Sequence, residues 1–267
     1  MQRRMPSSTL LQLDGATIVV DCGLGVTAGL VRAGVSLTAL EAVYITHLHS
    51  DHVLELGPLL HTAWTTGLGR SIAVHGPRGT KAVIDHFLRS MAFDCDIRVR
   101  DEGRPPLDDL VVVREFGEGP VRSATAVEVH ALRVRHPPVH DCFALRFGGS
   151  ATVVLSSDTA YFPPLAGFAR GADLLVHEAM LMAGVERLIE RTPNAGLLRG
   201  HLTASHSTAG EAARIARDAG VRHLVLNHLI PADDPTIGPD DFVREVRQHW
   251  DGHVTVAHDG LEISLDR

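Results

Sequence analysis

The chain has 267 residues, 45% of them hydrophobic and 21% charged, with a formal net charge of −7. That is enough apolar content for a large core, and with no low-complexity linker to divide it the chain reads as one domain over residues 1–267. Lys81 is the only lysine and no basic stripe offsets phosphate charge, which argues against tight binding to a long nucleic acid. No run reaches the roughly 20 apolar residues of a membrane span. Three scattered cysteines (Cys22, Cys95, Cys142) indicate reduced thiols and a cytoplasmic protein.

In chain order, β-type runs cover 9–13 and 17–21, a helix covers 26–33, and a strand over 42–46 leads into a helix over 52–64. A strand at 71–75 and a helix at 79–91 follow. Strands are then expected at 111–115, 127–131, 142–147, 152–156 and 174–177, and a helix at 181–191. The last third reads as a helix at 209–219, a strand at 223–226, a helix at 240–250 and strands at 254–257 and 261–265. Gly and Pro punctuate the intervals. Several strands are continuous apolar runs, as in sheets covered on both faces. Strands alternating with helices fit an α/β (α+β) protein built as an αββα sandwich of two mixed sheets, although periodicity leaves the topology open.

The densest chemical signal is residues 47–52, His-Leu-His-Ser-Asp-His, after the apolar run at 42–46. His47 and His49 are two apart and project from one side of an extended chain. Asp51 and His52 fall where the helix begins. One loop can thus offer two imidazoles to one ion and a carboxylate plus an imidazole to a second. Imidazole and carboxylate suit zinc, and also manganese or iron. No cysteine lies in such a cluster. Of the 17 histidines, six enter the site proposed here.

The pattern His47-x-His49-x-Asp51-His52 resembles the signature of the metallo-β-lactamase-fold hydrolases. The likeness continues through Asp21-Cys22-Gly23, Val134-Arg135-His136-Pro137, Ser156-Ser157-Asp158-Thr159, His177-Glu178-Ala179, His206-Ser207-Thr208-Ala209 and Leu226-Asn227-His228-Leu229. The later segments are similar to the ribonuclease Z and arylsulfatase-like phosphodiesterase branch. The usual opening strand with its Leu-Gly-Thr-Gly-like turn has no counterpart, so the edge of one sheet is expected to be short.

The resemblance implies two divalent ions. His47, His49 and His136 would hold one, Asp51, His52 and His228 the other, and Asp158 would bridge them. Asp21 would accept hydrogen bonds from the backbone of the histidine loop. A bridging hydroxide, oriented in part by Asp51, would attack the ester. His206 precedes Thr208-Ala209-Gly210-Glu211, a capping-box pattern, and would protonate the leaving group with Glu178 orienting it.

The expected substrate is a small or single-stranded phosphodiester, with aryl sulfatase-like promiscuity. The competing substrates are precursor tRNA, as in 3′-processing endonucleases, and a lactone or other carbonyl ester. A metal-stabilised binding scaffold without turnover is the non-enzyme alternative. His136 and Asp158 are 22 positions apart, enough for two strands and no inserted tRNA-binding arm. By analogy with the branch, residues 26–33 would form a homodimer face. Tyr161 and Phe162 would line an apolar wall, and Trp64 would belong to the core.

Overall fold

The computed structural model describes residues 4–193 and 195–265. Two compact units emerge, an N-terminal one of Met5–Gly117 with Val121–Val127, and a C-terminal one of Arg4, Glu118–Pro120 and residues 128–265.

The N-terminal unit runs β1 (Thr9–Leu13), β2 (Ala16–Val20), α1 (Val26–Arg32), β3 (Ala42–Tyr44), α2 (Ser50–Val53), α3 (Leu56–Thr65), β4 (Ile72–Gly76), α4 (Thr80–Ser90), α5 (Ala92–Glu102), α6 (Leu107–Leu110) and β5 (Val111–Glu115). Its sheet has the order β1-β2-β3-β4-β5. β1 is antiparallel to β2, and the other neighbours are parallel. The register aligns Val20 with Tyr44 and Tyr44 with His75, so the C-terminal ends of β2, β3 and β4 share one edge. That edge is where ligands collect in parallel sheets. Val19, Val43, Ile45 and Val74 from the strands pack with Leu56, Leu59 and Leu60 of α3. Trp64 is fully buried beside Leu107 and Leu110, as expected.

The C-terminal unit contains β6 (Gly119–Val121, all but its last residue), β7 (Glu128–Arg133), β8 (Phe143–Gly148), β9 (Thr152–Leu155), α7 (Pro164–Phe168), β10 (Leu174–Met180), α8 (Met182–Arg191), α9 (Leu198–Ser205), α10 (Ala209–Ala219), β11 (His223–Ile230), α11 (Pro239–Arg247) and β12 (His253–Val256). The sheet order is β12-β11-β10-β9-β8-β7-β6. β9 to β12 run parallel, whereas β8 is antiparallel to both neighbours. β7 therefore ends on the same edge as β9, β10 and β11. α10 buries a row of small residues, Ala209, Gly210, Ala212, Ala213 and Ala216, against the strands. β8 and β9 fill the interval between His136 and Asp158.

Each unit thus joins a mixed sheet to helices, the α/β class expected. Among the described residues no helix is long and apolar enough to cross a membrane.

Expectation and structure differ at several elements. The single helix over 52–64 is two, α2 and α3, interrupted at Leu54-Glu55. Glu55 turns its carboxylate to the start of α1, accepting from the main-chain N–H groups of Gly25 and Thr27, while its own N–H donates to Cys22 O at 2.8 Å. The strand over 261–265 does not form: its alternation is present, but among the described residues no neighbouring strand bonds it. Helix α5 was not anticipated because its period is not that of a buried stripe; none of its residues is buried.

Candidate metal centre

In the N-terminal unit the donors stand at the strand edge and one buried carboxylate organises them. Asp21 follows β2 in a left-handed conformation (φ 63°) and is 4% exposed. Its Oδ1 accepts from the main-chain N–H of Thr46 at 2.8 Å. Its Oδ2 accepts from the Thr46 hydroxyl at 2.9 Å and from His52 Nδ1 at 2.8 Å. These bonds fix tautomers. With Nδ1 donating, His52 keeps a lone pair on Nε2. The only hydroxyl proton of Thr46 goes to Asp21, so Thr46 Oγ1 accepts from His47 Nδ1 at 3.1 Å, and His47 too presents an unprotonated Nε2.

Two donors on one tetrahedral zinc, each bonded at about 2.0–2.1 Å, stand roughly 3.3–3.4 Å apart. His47 Nε2 and His49 Nδ1 are 3.1 Å apart, and His52 Nε2 and Asp51 Oδ2 are 3.8 Å apart. The N-terminal donor set therefore fits the metal chemistry without rearrangement. Asp51 and His52 lie in the single turn of α2, where a helix was expected to begin. A Cβ on Gly23 would stand 2.3 Å from the main-chain oxygen of Asp51, so the turn after β2 supports α2 only as glycine.

In the C-terminal unit the donors come from three strand ends. His136 follows β7, Asp158 follows β9, and His228 sits in β11. The pairing of β10 with β11 shifts between Glu178 and Ala179, so His228, at φ 40°, is the extra residue of a bulge. A bulge re-aims the side chain it carries. His228 Nε2 is 3.3 Å from Asp158 Oδ2, and His136 Nε2 is 4.0 Å from the same oxygen. His136 Nδ1 donates to the main-chain oxygen of Ser205 at 2.9 Å, again leaving Nε2 as the donor atom. These three residues also fit ions held by nitrogen and oxygen. Cys142 lies beneath, its thiol donating to Asp158 O at 3.3 Å, and takes no ligand role.

His206 Nδ1 lies 2.9 and 3.1 Å from the two carboxylate oxygens of Glu178. Glu178 Oε1 also accepts from the main-chain N–H of Thr159 at 2.5 Å. Burial, then the neighbouring charge of Asp158, pushes the Glu178 carboxyl well above the usual range. The His206 ring stacks on His228 with centroids 5.6 Å apart. The capping box at the start of α10 is formed: Glu211 N–H donates to Thr208 Oγ1 at 3.2 Å, and Thr208 N–H to Glu211 at 2.8 Å.

Tyr161 and Phe162 are half-buried against the C-terminal core, with the Arg214 guanidinium over the Tyr161 ring at 4.8 Å. His201, in α9, is exposed, 6.3 Å from His206 between ring centroids. His177 is buried with its pKa pushed down to about 4 by that burial, a neutral structural residue. Sequence reasoning did not single out Thr46 or Ser205. Thr46 stands directly before the histidine cluster, which is the one signal available for it; Ser205 acts through its main-chain oxygen, which any residue type carries.

With these donors at strand ends, the chain is similar in fold and sequence to metal-dependent hydrolases of the metallo-β-lactamase fold. The metallo-β-lactamase-fold protein YhfI from Bacillus subtilis superposes with a TM-score of 0.68 at 26% identity, covering 96% of this chain and 90% of that one. Human tRNase Z, short form, shares the fold, with a TM-score of 0.69 at 21% identity over 98% of this chain and 93% of its own. In sequence, ribonuclease Z of Mycobacterium bovis is 31% identical over 261 residues, 96% of this chain and 90% of the relative. Ribonuclease Z of Mycobacterium marinum is 34% identical over 234 residues, 86% and 81% of the two chains. A family profile described as anti-Pycsar protein Apyc1 matches residues 1–189. The chain belongs to that family, within the ribonuclease Z-like hydrolases.

Proposed function

We propose that the chain is a dinuclear phosphodiesterase for small or short single-stranded phosphodiesters. His47, His49 and His136 would hold one divalent ion, Asp51, His52 and His228 the second, and Asp158 both. The observation that carries the reading is the spacing of donor atoms within each unit, with tautomers already set by Asp21, Thr46 and the Ser205 carbonyl. The donors are imidazole and carboxylate only, which favours zinc, with manganese or iron as alternatives.

When bound, divalent ions make a nucleophile available from water at neutral pH and neutralise charge on the substrate oxygens. The chain's own groups do the rest. Asp51, whose side chain is 45% exposed, orients the attacking water. His206 holds one proton on Nδ1 against Glu178 and delivers another from Nε2 to the departing oxygen. Glu178 fixes the ring through its contacts with Nδ1.

The acidic balance and the single lysine favour a small substrate. The second reading, ribonuclease action on precursor tRNA, is favoured by the 31% identity with a ribonuclease Z over nearly the whole chain. A turnover panel decides: bis-nitrophenyl phosphate, cyclic nucleotides, an aryl sulfate, a lactone and precursor tRNA. Small phosphodiesters are expected to turn over fastest. Turnover of precursor tRNA alone would replace this reading with the second, and none at all would leave a metal-stabilised scaffold. The reading includes a cytoplasmic homodimer. α1, with Val31 59% exposed, is the face whose Val31→Glu variant should be monomeric by light scattering.

A further inference from the structure

The three consecutive residues Ser205, His206 and Ser207 are each tied to a different part of the C-terminal donor set. Ser205 closes α9 and is fully buried. Its main-chain oxygen accepts the Nδ1 proton of His136 at 2.9 Å, and its hydroxyl donates to Pro137 O at 2.5 Å. Ser207 is 1% exposed, and its hydroxyl donates to the main-chain oxygen of Thr159, the residue after Asp158, at 2.6 Å. Ser207 O in turn accepts from the N–H of Met180 at 2.8 Å, which anchors the tripeptide to the end of β10. His206 lies between them on Glu178.

We propose that Ser205 and Ser207 are positioning residues, which hold the His136 and Asp158 segments in register on either side of His206. The inference rests on the ligand assignment proposed above. Two physical reasons support it. A metal-ligating imidazole works through one nitrogen, and the hydrogen bond at the other sets its tautomer and ring plane; partners of that kind typically contribute 10–100-fold in metal affinity. Here the partner is a carbonyl that cannot change its identity by mutation, so its placement depends on the Ser205 hydroxyl pinning α9 to Pro137. Asp158 likewise follows β9 in an irregular turn, with Ser157 at φ 57°, whose far side is held by the Ser207 hydroxyl on Thr159 O. Loss of the Ser207 hydroxyl takes a donor from the buried Thr159 carbonyl, loss of the Ser205 hydroxyl takes one from the half-buried Pro137 carbonyl, and each frees one segment relative to the other.

The test uses zinc alone as probe and chelator competition as readout, with no turnover involved. Ser205→Ala and Ser207→Ala should each weaken zinc affinity about tenfold. Ser205→Thr, which keeps the hydroxyl, should restore most of it. In the zinc-loaded wild type, long-range proton–nitrogen spectra should show His136 protonated at Nδ1 and slow to exchange, and Ser205→Ala should speed that exchange. Zinc affinity unchanged in both alanine variants, or a His136 without an Nδ1 proton, overturns the inference even if a variant proves unstable. His136→Ala separates the two levels. If it binds zinc like the wild type, the ligand assignment fails; if it loses zinc while both serine variants keep it, only the positioning role fails.

Discussion

The two units carry comparable donors by opposite means. In the N-terminal unit four donors fall within residues 47–52, and a single buried carboxylate, Asp21, orients His52 directly and His47 through Thr46. In the C-terminal unit three donors span positions 136 to 228, and their supports are a main-chain oxygen, a bulge and a buried glutamate. A local cluster can be oriented by one side chain. A dispersed one has to be oriented by the sheet, because only the strand register brings His136, Asp158 and His228 to the same edge.

The largest effect should come from breaking the dispersed set at its shared point. Asp158→Ala removes the carboxylate that stands 3.3 Å from His228 Nε2 and 4.0 Å from His136 Nε2. Metal analysis should find close to two divalent ions per chain in the wild type and most of that content lost in the variant, with turnover gone. Retained metal would dismiss the bridging role. Next in size is Asp21→Ala, the matching cut in the local set. It leaves a buried imidazole and a buried threonine without their acceptor, and metal affinity should fall roughly 10–100-fold with some loss of stability. An affinity equal to that of the wild type would mean that the loop orients itself.

The contrast also explains what could be read in the sequence. The local set was legible because His47, His49, Asp51 and His52 are adjacent, and the capping box at Thr208 and Glu211 is legible for the same reason. Most strands were found from their apolar runs. His136, Asp158 and His228 could be named only through family resemblance, since nothing in 92 positions of separation states that two strand ends meet. The continuations of β10 and β11 to residues 180 and 230, and the bulge at His228, were missed because strand ends are set by neighbours rather than by propensity. The break between α2 and α3 was missed because Glu55 serves a helix 28 positions away in sequence.

His206→Ala should keep metal while slowing esters with poor leaving groups about 10²–10⁴-fold, and nitrophenyl esters much less. Equal slowing of both would remove the proton-donor role and leave His206 as a contact to the substrate.

A smaller effect compares the two cores in acid. His75 in the N-terminal unit is fully buried, stacked on Tyr44 with centroids 4.5 Å apart, and among the described residues neither ring nitrogen has a hydrogen-bond partner. Burial, and then the charge of Arg114, pushes its pKa down to about 4. His177 in the C-terminal unit is also pushed down to about 4, by burial. Their unfolded values are near 6.5, so the unfolded chain takes up the proton first. The stability they contribute is complete above about pH 6.5 and is lost as the pH falls toward about 4. Denaturant titrations across that window should show stability falling with pH. His75→Phe keeps the stacked ring without its nitrogens and should make the fall shallower by about one proton's uptake; an unchanged slope would show that His75 is not a source of it.

The smallest change is Thr208→Ala. The threonine hydroxyl takes the N–H of Glu211, and the Glu211 carboxylate takes the N–H of Thr208, two donors that the first turn of α10 cannot otherwise satisfy. Removing the hydroxyl should cost about 1 kcal/mol. Because His206 is fixed by Glu178 and its neighbours by Pro137 and Thr159, none of which the cap touches, metal content and turnover should stay near the wild-type level. A clear loss of turnover at unchanged metal content would mean that the dispersed set depends on the seating of α10 as well as on the sheet, and would make the C-terminal donor set more distributed than its hydrogen bonds indicate.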